Sequence, residues 1–175
     1  MKLILDKWSS TFEEQLSNAN KVKIISPSFS MITMKILGRF NLIKETELIT
    51  RYSLYDFFVK LSDIDALTYA VSDGMKVFGV KNLHCKTYIF NDEKAIISSS
   101  NFTWGGLFRN HECGILTDDI QIISELLAYF DKLKASAGEY LQIDDCEKWK
   151  SELLPVKEDI LTPYMMPDYG KEVIT

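Results

Sequence analysis

Helix and strand patterns alternate in the first part of this chain, and four strand patterns then crowd together between residues 75 and 117. Helical spacing of apolar residues occurs at 8–18, 31–40, 54–71 and from about Asp119 onward, with short strand patterns at 22–26, 47–52, 75–80, 84–90, 94–99 and 112–117. Asn91-Asp92 provides a tight turn between two of the later strands. Because the later links are of hairpin length, we expect an α/β domain whose mixed central sheet is flanked by helices on both faces.

The length of the chain allows one sizeable core. Its 175 residues are 46% hydrophobic, and we expect one main domain over residues 1–140. Residues 141–175 carry one more helix pattern at 146–154 and then three prolines, Pro155, Pro163 and Pro167, which interrupt regular structure. We therefore expect a C-terminal helix followed by an arm or linker.

Charge and cysteine content limit the location and the partners of the protein. With 20 basic and 25 acidic side chains the net charge is -5, so the whole molecule lacks the basic footprint of a dedicated nucleic-acid binder, although an enzyme needs positive potential only at its cleft. Three cysteines in an odd set predict a reduced cytoplasmic protein. No stretch approaches the roughly 18 apolar residues of a membrane span, so we expect no membrane attachment.

Chemistry-bearing side chains collect on the last strand patterns. Because a strand alternates its faces, His84 and Lys86 point to one side, and the next strand brings Ser99 and Asn101 alongside them on a common face. An imidazole, an ammonium, a hydroxyl and an amide are the groups that an anionic phosphoryl group needs. Glu112 could accept from the far ring nitrogen of His84 and fix its tautomer.

The spacing His84-x-Lys86, Ser99-x-Asn101 and Glu112 resembles the HKD motif of the phospholipase D superfamily. The flanking segments at 50–52, 62–67 and 96–103 are most similar to its compact nuclease branch, which includes domains in restriction endonucleases and beside helicases. Two positions differ from the family pattern. Asn91 stands where the motif has an aspartate, and Ser98 stands where a glycine is usual.

The resemblance implies a metal-independent phosphodiesterase without a cofactor, most simply a nuclease that cleaves DNA, or RNA, through a covalent phosphohistidine. His84 would be the nucleophile, Lys86, Ser99 and Asn101 would bind the phosphate, and Glu112 would orient His84. The superfamily site contains two motifs and this chain has one, which implies a homodimer. A helicase or a specificity domain or subunit is a further expected partner, as in a restriction or defence enzyme.

Several residues allow more than one interpretation. Arg51 could contact phosphate or form a structural ion pair, and Trp104 could stack on a base, although we expect it to pack in the core. His84, Cys85, His111 and Cys113 are side chains that zinc prefers, but adjacent strand residues point to opposite faces, which disfavours a zinc site. The alternative functions are a phospholipase acting on lipid phosphodiesters and a non-catalytic module for nucleic-acid binding or dimerisation.

Overall fold

The computed structural model describes residues 1–5, 8–153 and 167–172 of the chain. Its strands are β1 (Lys2–Ile4), β2 (Val22–Ile25), β3 (Thr46–Thr50), β4 (Lys76–Gly79), β5 (Thr87–Phe90), β6 (Lys94–Ser98) and β7 (Gly114–Thr117). Its α-helices are α1 (Trp8–Ser17), α2 (Met31–Arg39), α3 (Leu54–Phe58), α4 (Ile64–Ser72), α5 (Ile120–Ala137) and α6 (Ile143–Leu153). A single π-helical turn at Gly105–Arg109, called the π turn below, lies between β6 and β7.

All seven strands form one mixed sheet in the order β1-β7-β6-β5-β2-β3-β4. β2, β3 and β4 run parallel to one another because helices connect them. β5, β6 and β7 form an antiparallel meander that joins the parallel half through the antiparallel pair β2 and β5. The predicted fold class, a mixed sheet in an α/β domain, is confirmed.

Helices cover both faces of this sheet. Successive strand residues point to opposite faces, so Ile24 of β2 packs in the larger cluster with α1, α2 and α4, whereas its neighbour Ile25 faces Phe130 and Leu133 of α5. The larger cluster also takes in Trp149 of α6. The sheet is therefore buried on both sides near its centre, which makes the position of the strand ends rigid.

Several elements differ from the sequence prediction. α6 begins at Ile143, three residues before its predicted start, and the π turn was not predicted. The strand predicted at 84–90 begins only at Thr87, although the amide of Ser98 still donates to the Lys86 carbonyl at 3.1 Å. β1 was not predicted, because a run of three residues is too short to show a period. It lies at the edge of the sheet and pairs with β7.

The turn between β5 and β6 has the conformation that its residues favour. Asn91 and Asp92 both have positive φ, 55° and 59°, which Asn and Asp tolerate better than other non-glycine residues. Asn91 also accepts from the amides of Asn20 and Lys21 and donates to the Asn18 carbonyl. It therefore fastens the hairpin to the connection between α1 and β2.

The last described residues return to the sheet. Residues 167–172 contact the loop after β3 and the end of β4, where Lys171 donates to the Gly79 carbonyl. Tyr169 stacks on Trp149 with a centroid separation of 5.3 Å. Of the predicted C-terminal arm, 154–166 and 173–175 lie outside the described residues. No helix in the described part of the chain is long and apolar enough to cross a membrane.

Candidate active site

His84 and Lys86 lie immediately before β5, where the chain reaches the end of the sheet. His84 is exposed, whereas Lys86 is buried with 8% of its surface accessible. The Lys86 ammonium donates to the His84 carbonyl at 2.7 Å and lies 3.2 Å from each nitrogen of the His84 ring. The structure thus brings together an accessible imidazole and a buried positive charge.

The Lys86 ammonium has no carboxylate partner within salt-bridge distance among the described residues. Burial lowers the pKa of Lys86 below its usual value, and the positive charge of Arg51 lowers it further, while the charges of Cys85 and Glu112 act in the opposite direction. A buried cation without a full counter-charge is a good site for an anionic ligand.

Ser99 and Glu112 form a hydrogen-bonded pair beside this cation. The Ser99 hydroxyl donates to Glu112 and accepts from the Cys113 amide at 3.1 Å, and the Asn110 amide group donates to the other carboxylate oxygen at 3.3 Å. The described residues show no hydrogen bond between Glu112 and His84. The expected orientation of His84 by Glu112 therefore stays a prediction.

Asn101 follows β6 and lies in a tightly packed loop. Its Oδ1 atom is buried and has no hydrogen-bond partner within the described chain. The loop is fixed on one side by Ser26, whose hydroxyl accepts from the Phe102 amide at 2.9 Å. On the other side Gly106 is so close that a Cβ atom there would lie 2.2 Å from the Asn101 carbonyl oxygen.

Arg51 lies just after β3 and pairs with Asp56 at 2.6 Å, so the structural ion pair considered for it is present. Burial raises the pKa of Asp56 above its usual value, although the contact with Arg51 opposes this rise. Arg51 is half-buried and influences Lys86 electrostatically. A phosphate contact by Arg51 stays a prediction.

A cleft of about 430 Å³ adjoins the motif. Asn101 and Asn110 contribute to its wall, and the remaining lining residues come from the loops before α2 and α4 and from the π turn: Ser28, Phe29, Ser30, Lys60, Leu61, Ser62, Asp63, Thr103, Trp104, Gly105 and Arg109. Because Asn110 also donates to Glu112, the cleft and the Ser99–Glu112 pair share a wall.

Trp104 stands in this cleft with 48% of its surface exposed, so the prediction that it packs in the core was wrong. The Arg109 guanidinium lies 5.4 Å from the centre of its ring. Sequence reasoning also missed Lys60 and Arg109 as cleft residues. The one available signal was Trp104 next to two glycines, since glycines permit close approach of the backbone.

The four candidate zinc ligands differ in their surroundings. The Cys85 thiol contacts the Thr87 hydroxyl at 3.2 Å, whereas His84 contacts Lys86. His111 is exposed beside Leu5 and Phe108. Within the described ranges, no group of three or more His, Cys, Asp or Glu side chains is arranged to hold a metal ion.

Known structures with this fold include two chains of similar size. NucT from Helicobacter pylori is 21% identical, with a TM-score of 0.59 over 75% of this chain and 92% of its own. Nuc from Salmonella typhimurium, a phospholipase D family member, is 14% identical, with a TM-score of 0.64 over 81% and 97%. The phosphatidylserine synthase of Haemophilus influenzae is 12% identical, with a TM-score of 0.58 over 95% of this chain and 46% of its own.

A family comparison agrees with the fold and with the motif. No curated protein sequence matches this chain. The family model described as "Cardiolipin synthase, PLD-like domain" matches residues 11–134, which include most of α1, every strand from β2 to β7 and the residues of the HKD-type motif. This protein therefore belongs to the PLD-like domain family of the phospholipase D superfamily.

Proposed function

We propose that this protein is a nuclease that hydrolyses DNA phosphodiester bonds with His84 as the nucleophile and without a metal ion. The observation that carries the proposal is the pairing of an exposed His84 ring with the buried Lys86 ammonium. The Lys86 ammonium lies 3.2 Å from both ring nitrogens, so a phosphate that the ring attacks would also meet this positive charge. The same ammonium would neutralise a phosphate placed next to the ring.

The proposed reaction has two displacements at phosphorus. A His84 nitrogen attacks, the bond to the leaving oxygen breaks, and the leaving oxygen takes a proton from His84 of the partner subunit. Water then attacks the phosphohistidine and gives its proton to His84 of the partner subunit, the nitrogen–phosphorus bond breaks, and both rings are regenerated. Lys86, Ser99 and Asn101 would hold the phosphate oxygens, and Glu112 would fix Ser99 and His84.

A homodimer follows from counting histidines. The sequence has two, and His111 lies in a separate depression with Leu5 and Phe108. One chain therefore supplies one HKD-type histidine, and a two-fold axis would bring a second His84 to the same phosphate. The close match in length to NucT and Nuc, in contrast to the synthase that this chain covers by 46%, supports a site built from two single-motif chains.

The sequence flanks support a role as the cleavage module of a restriction or defence enzyme. In such an enzyme a helicase or a specificity domain or subunit would select the DNA site. The net charge of -5 fits this division, because the module alone would have little general attraction for DNA.

The test is DNA cleavage in excess EDTA. Purified protein is incubated with plasmid and with single-stranded DNA, next to His84→Ala and to the matched control His111→Ala. We expect cleavage by the parent and by His111→Ala, and none by His84→Ala. Intact DNA at every concentration of parent protein contradicts the proposal, and DNA retention without cleavage would favour a non-catalytic binding module.

Lipid phosphodiesters are the second candidate substrate. The description of the matching family model names cardiolipin synthase. In addition, Leu3 of β1, Ile115 of β7 and Ile97 of β6 form an exposed aliphatic row across the sheet. Such a row could contact acyl chains. Turnover of vesicles that contain cardiolipin or phosphatidylglycerol, without any cleavage of DNA, would favour this second function.

A further inference from the structure

The exposed aromatic residue of the cleft is held by the geometry of the π turn. The Asn110 amide donates to the Gly105 carbonyl at 2.8 Å, which is the i to i+5 bond of a π-helix. This winding brings residues five apart onto one side, so Arg109 lies over the ring of Trp104. The Trp104 amide is anchored by the Ser30 hydroxyl at 3.1 Å. Trp104 is thus a fixed, half-exposed aromatic surface.

The charge in the cleft suits a polyanion that runs past this surface. Lys60 and Arg109 are exposed cations that both line the cleft. Asp63 is the acidic residue of the lining, and its carboxylate caps α4 by accepting from the amides of Asp65 and Ala66. Lys60 is held with a φ of 62°, a conformation that non-glycine residues adopt at a cost of about 1–3 kcal/mol.

Asn101 connects the cleft to the phosphate site. It belongs to the motif, it lines the cleft, and its buried Oδ1 atom has no partner among the described residues. An amide oxygen can only accept hydrogen bonds, so the phosphate contact proposed for Asn101 would come from its Nδ2 group. Asn101 therefore places the cleft beside the proposed phosphate site.

We infer that the cleft binds an unpaired nucleobase next to the scissile phosphate, with Trp104 as the stacking surface and Arg109 and Lys60 as contacts to flanking phosphates. The inference rests on the proposed function, because a base reaches the cleft only as part of a nucleic-acid substrate. The volume of about 430 Å³ falls in the usual range for small-ligand sites. The substrate is then single-stranded nucleic acid, since bases inside a duplex have no free ring face to offer.

Tryptophan fluorescence reports on this contact directly. The chain has three tryptophans, and Trp8 and Trp149 are buried whereas Trp104 is half-exposed. His84→Ala protein, which should not cleave, is titrated with an adenine oligodeoxynucleotide, with an abasic oligonucleotide of the same length and with the corresponding duplex. We expect quenching by the adenine strand and none by the abasic strand or the duplex.

Variants separate stacking from other contacts. Trp104→Ala should weaken binding of the adenine strand by roughly 5- to 150-fold, the effect on affinity of one base–aromatic stack, and Trp104→Tyr should restore most of it. The matched control is Phe108→Ala, which removes an exposed aromatic side chain of the same turn that does not line the cleft. Its affinity should equal that of the parent.

The outcomes distinguish this inference from the proposed function. Equal quenching by adenine and abasic strands, or unchanged affinity in Trp104→Ala, overturns base stacking even if the parent protein cleaves DNA in EDTA. Base-dependent quenching together with failure of the parent to cleave upholds the stacking site and overturns the nuclease. The comparison of the two oligonucleotides needs no Trp104 variant, so it stays decisive if that variant does not fold.

Discussion

At the scale of single residues, Lys86 is the most informative side chain. Its stem is buried and its ammonium contacts His84, so the cation and the proposed nucleophile hold one another in place. A buried ammonium pays a solvation cost that an anionic ligand offsets. If Lys86 binds phosphate as proposed, one contact would link phosphate binding to the orientation of the imidazole.

The lowered pKa of Lys86 predicts an alkaline limit to activity. Only the protonated form can neutralise phosphate, and burial moves its loss of the proton below the usual lysine range of about 10.4. We expect kcat/KM to fall with rising pH before an ordinary lysine would titrate. In Lys86→Arg the guanidinium stays charged, so the fall should move to higher pH or disappear.

The control for this profile is Lys86→Met. Below the alkaline limit this variant should lose about 10²- to 10³-fold in kcat, as expected for one lost electrostatic contact in a transition state, and it should lack the limit itself. An alkaline limit at the same pH in Lys86→Arg as in the parent would show that another group titrates.

Asn91 predicts an effect on stability without an effect on catalysis. Its side chain accepts from two amides and donates to one carbonyl, at the end of β5 that is distant from His84. We expect Asn91→Ala to lower the free energy of unfolding by about 1–3 kcal/mol in urea denaturation, while kcat on a single-stranded oligonucleotide stays that of the parent. A loss of kcat in folded Asn91→Ala would show a role in the reaction.

Sequence reasoning did not predict the contact of Ser99 with Glu112, but it placed His84 beside Lys86, and the two do meet, although just before β5 and not within a strand. It failed for Trp104, because an apolar ring is expected inside and nothing in the residue types reveals a π turn that holds it outward. The partner of Arg51 was left open, since the sequence does not show which carboxylate is nearest.

At the scale of elements, the π turn decides the shape of the cleft. Gly106 packs against the backbone and side chain of the Ser100–Asn101 segment, where any Cβ atom would collide. A Cβ atom on Gly105, its neighbour, would make only ordinary van der Waals contacts, with the nearest side-chain atoms at 3.5 Å. The two adjacent glycines thus differ in whether their position has room for a side chain, and only the three-dimensional packing shows this difference.

This difference predicts opposite results for two alanine variants. Gly106→Ala should lower the free energy of unfolding by about 1–3 kcal/mol through overpacking and should displace Asn101, which weakens oligonucleotide binding. Gly105→Ala should change the unfolding free energy by less than about 1 kcal/mol. Urea denaturation and the fluorescence titration measure both effects. Equal behaviour of the two variants would contradict the packing described for this turn.

The positions of helices were predictable wherever the periodic pattern of apolar residues continues over about ten residues. The helix patterns at 8–18 and 31–40 became α1 and α2, and the pattern at 54–71 became two helices, α3 and α4. The start of β5 was placed three residues early, because the residues before it keep an extended spacing and one ladder bond without being part of the strand. Hydrogen-bond pairing, which a periodicity does not contain, sets that boundary.

At the scale of the whole molecule, the proposed site is complete only with two chains. One histidine can attack phosphorus but cannot also protonate the leaving group in the same step. If two subunits share one site, the activity of a dimer depends on which residue each subunit has at position 84. Mixing parent and variant subunits therefore tests whether the site is shared.

Mixed dimers give the prediction. When the parent and His84→Ala are mixed in equal amounts and allowed to exchange subunits, a shared site leaves about one quarter of the dimers with two His84 residues, whereas independent sites would leave about half of the activity. We expect DNA cleavage close to one quarter, measured in EDTA. The control mixture of the parent with His111→Ala should keep full activity, and a monomer in sedimentation would contradict the shared site.

The fastening of the hairpin by Asn91 has a consequence for how such enzymes diverge. Position 91, seven residues after His84, can change from an acid to an amide without altering the contacts of the reacting groups. It lies roughly 20 Å from His84 along the strand, and its side chain joins two loops. Selection on the reaction and selection on the loop connection can then act separately. Consensus patterns that demand an aspartate there would pass over active members whose loops use an asparagine.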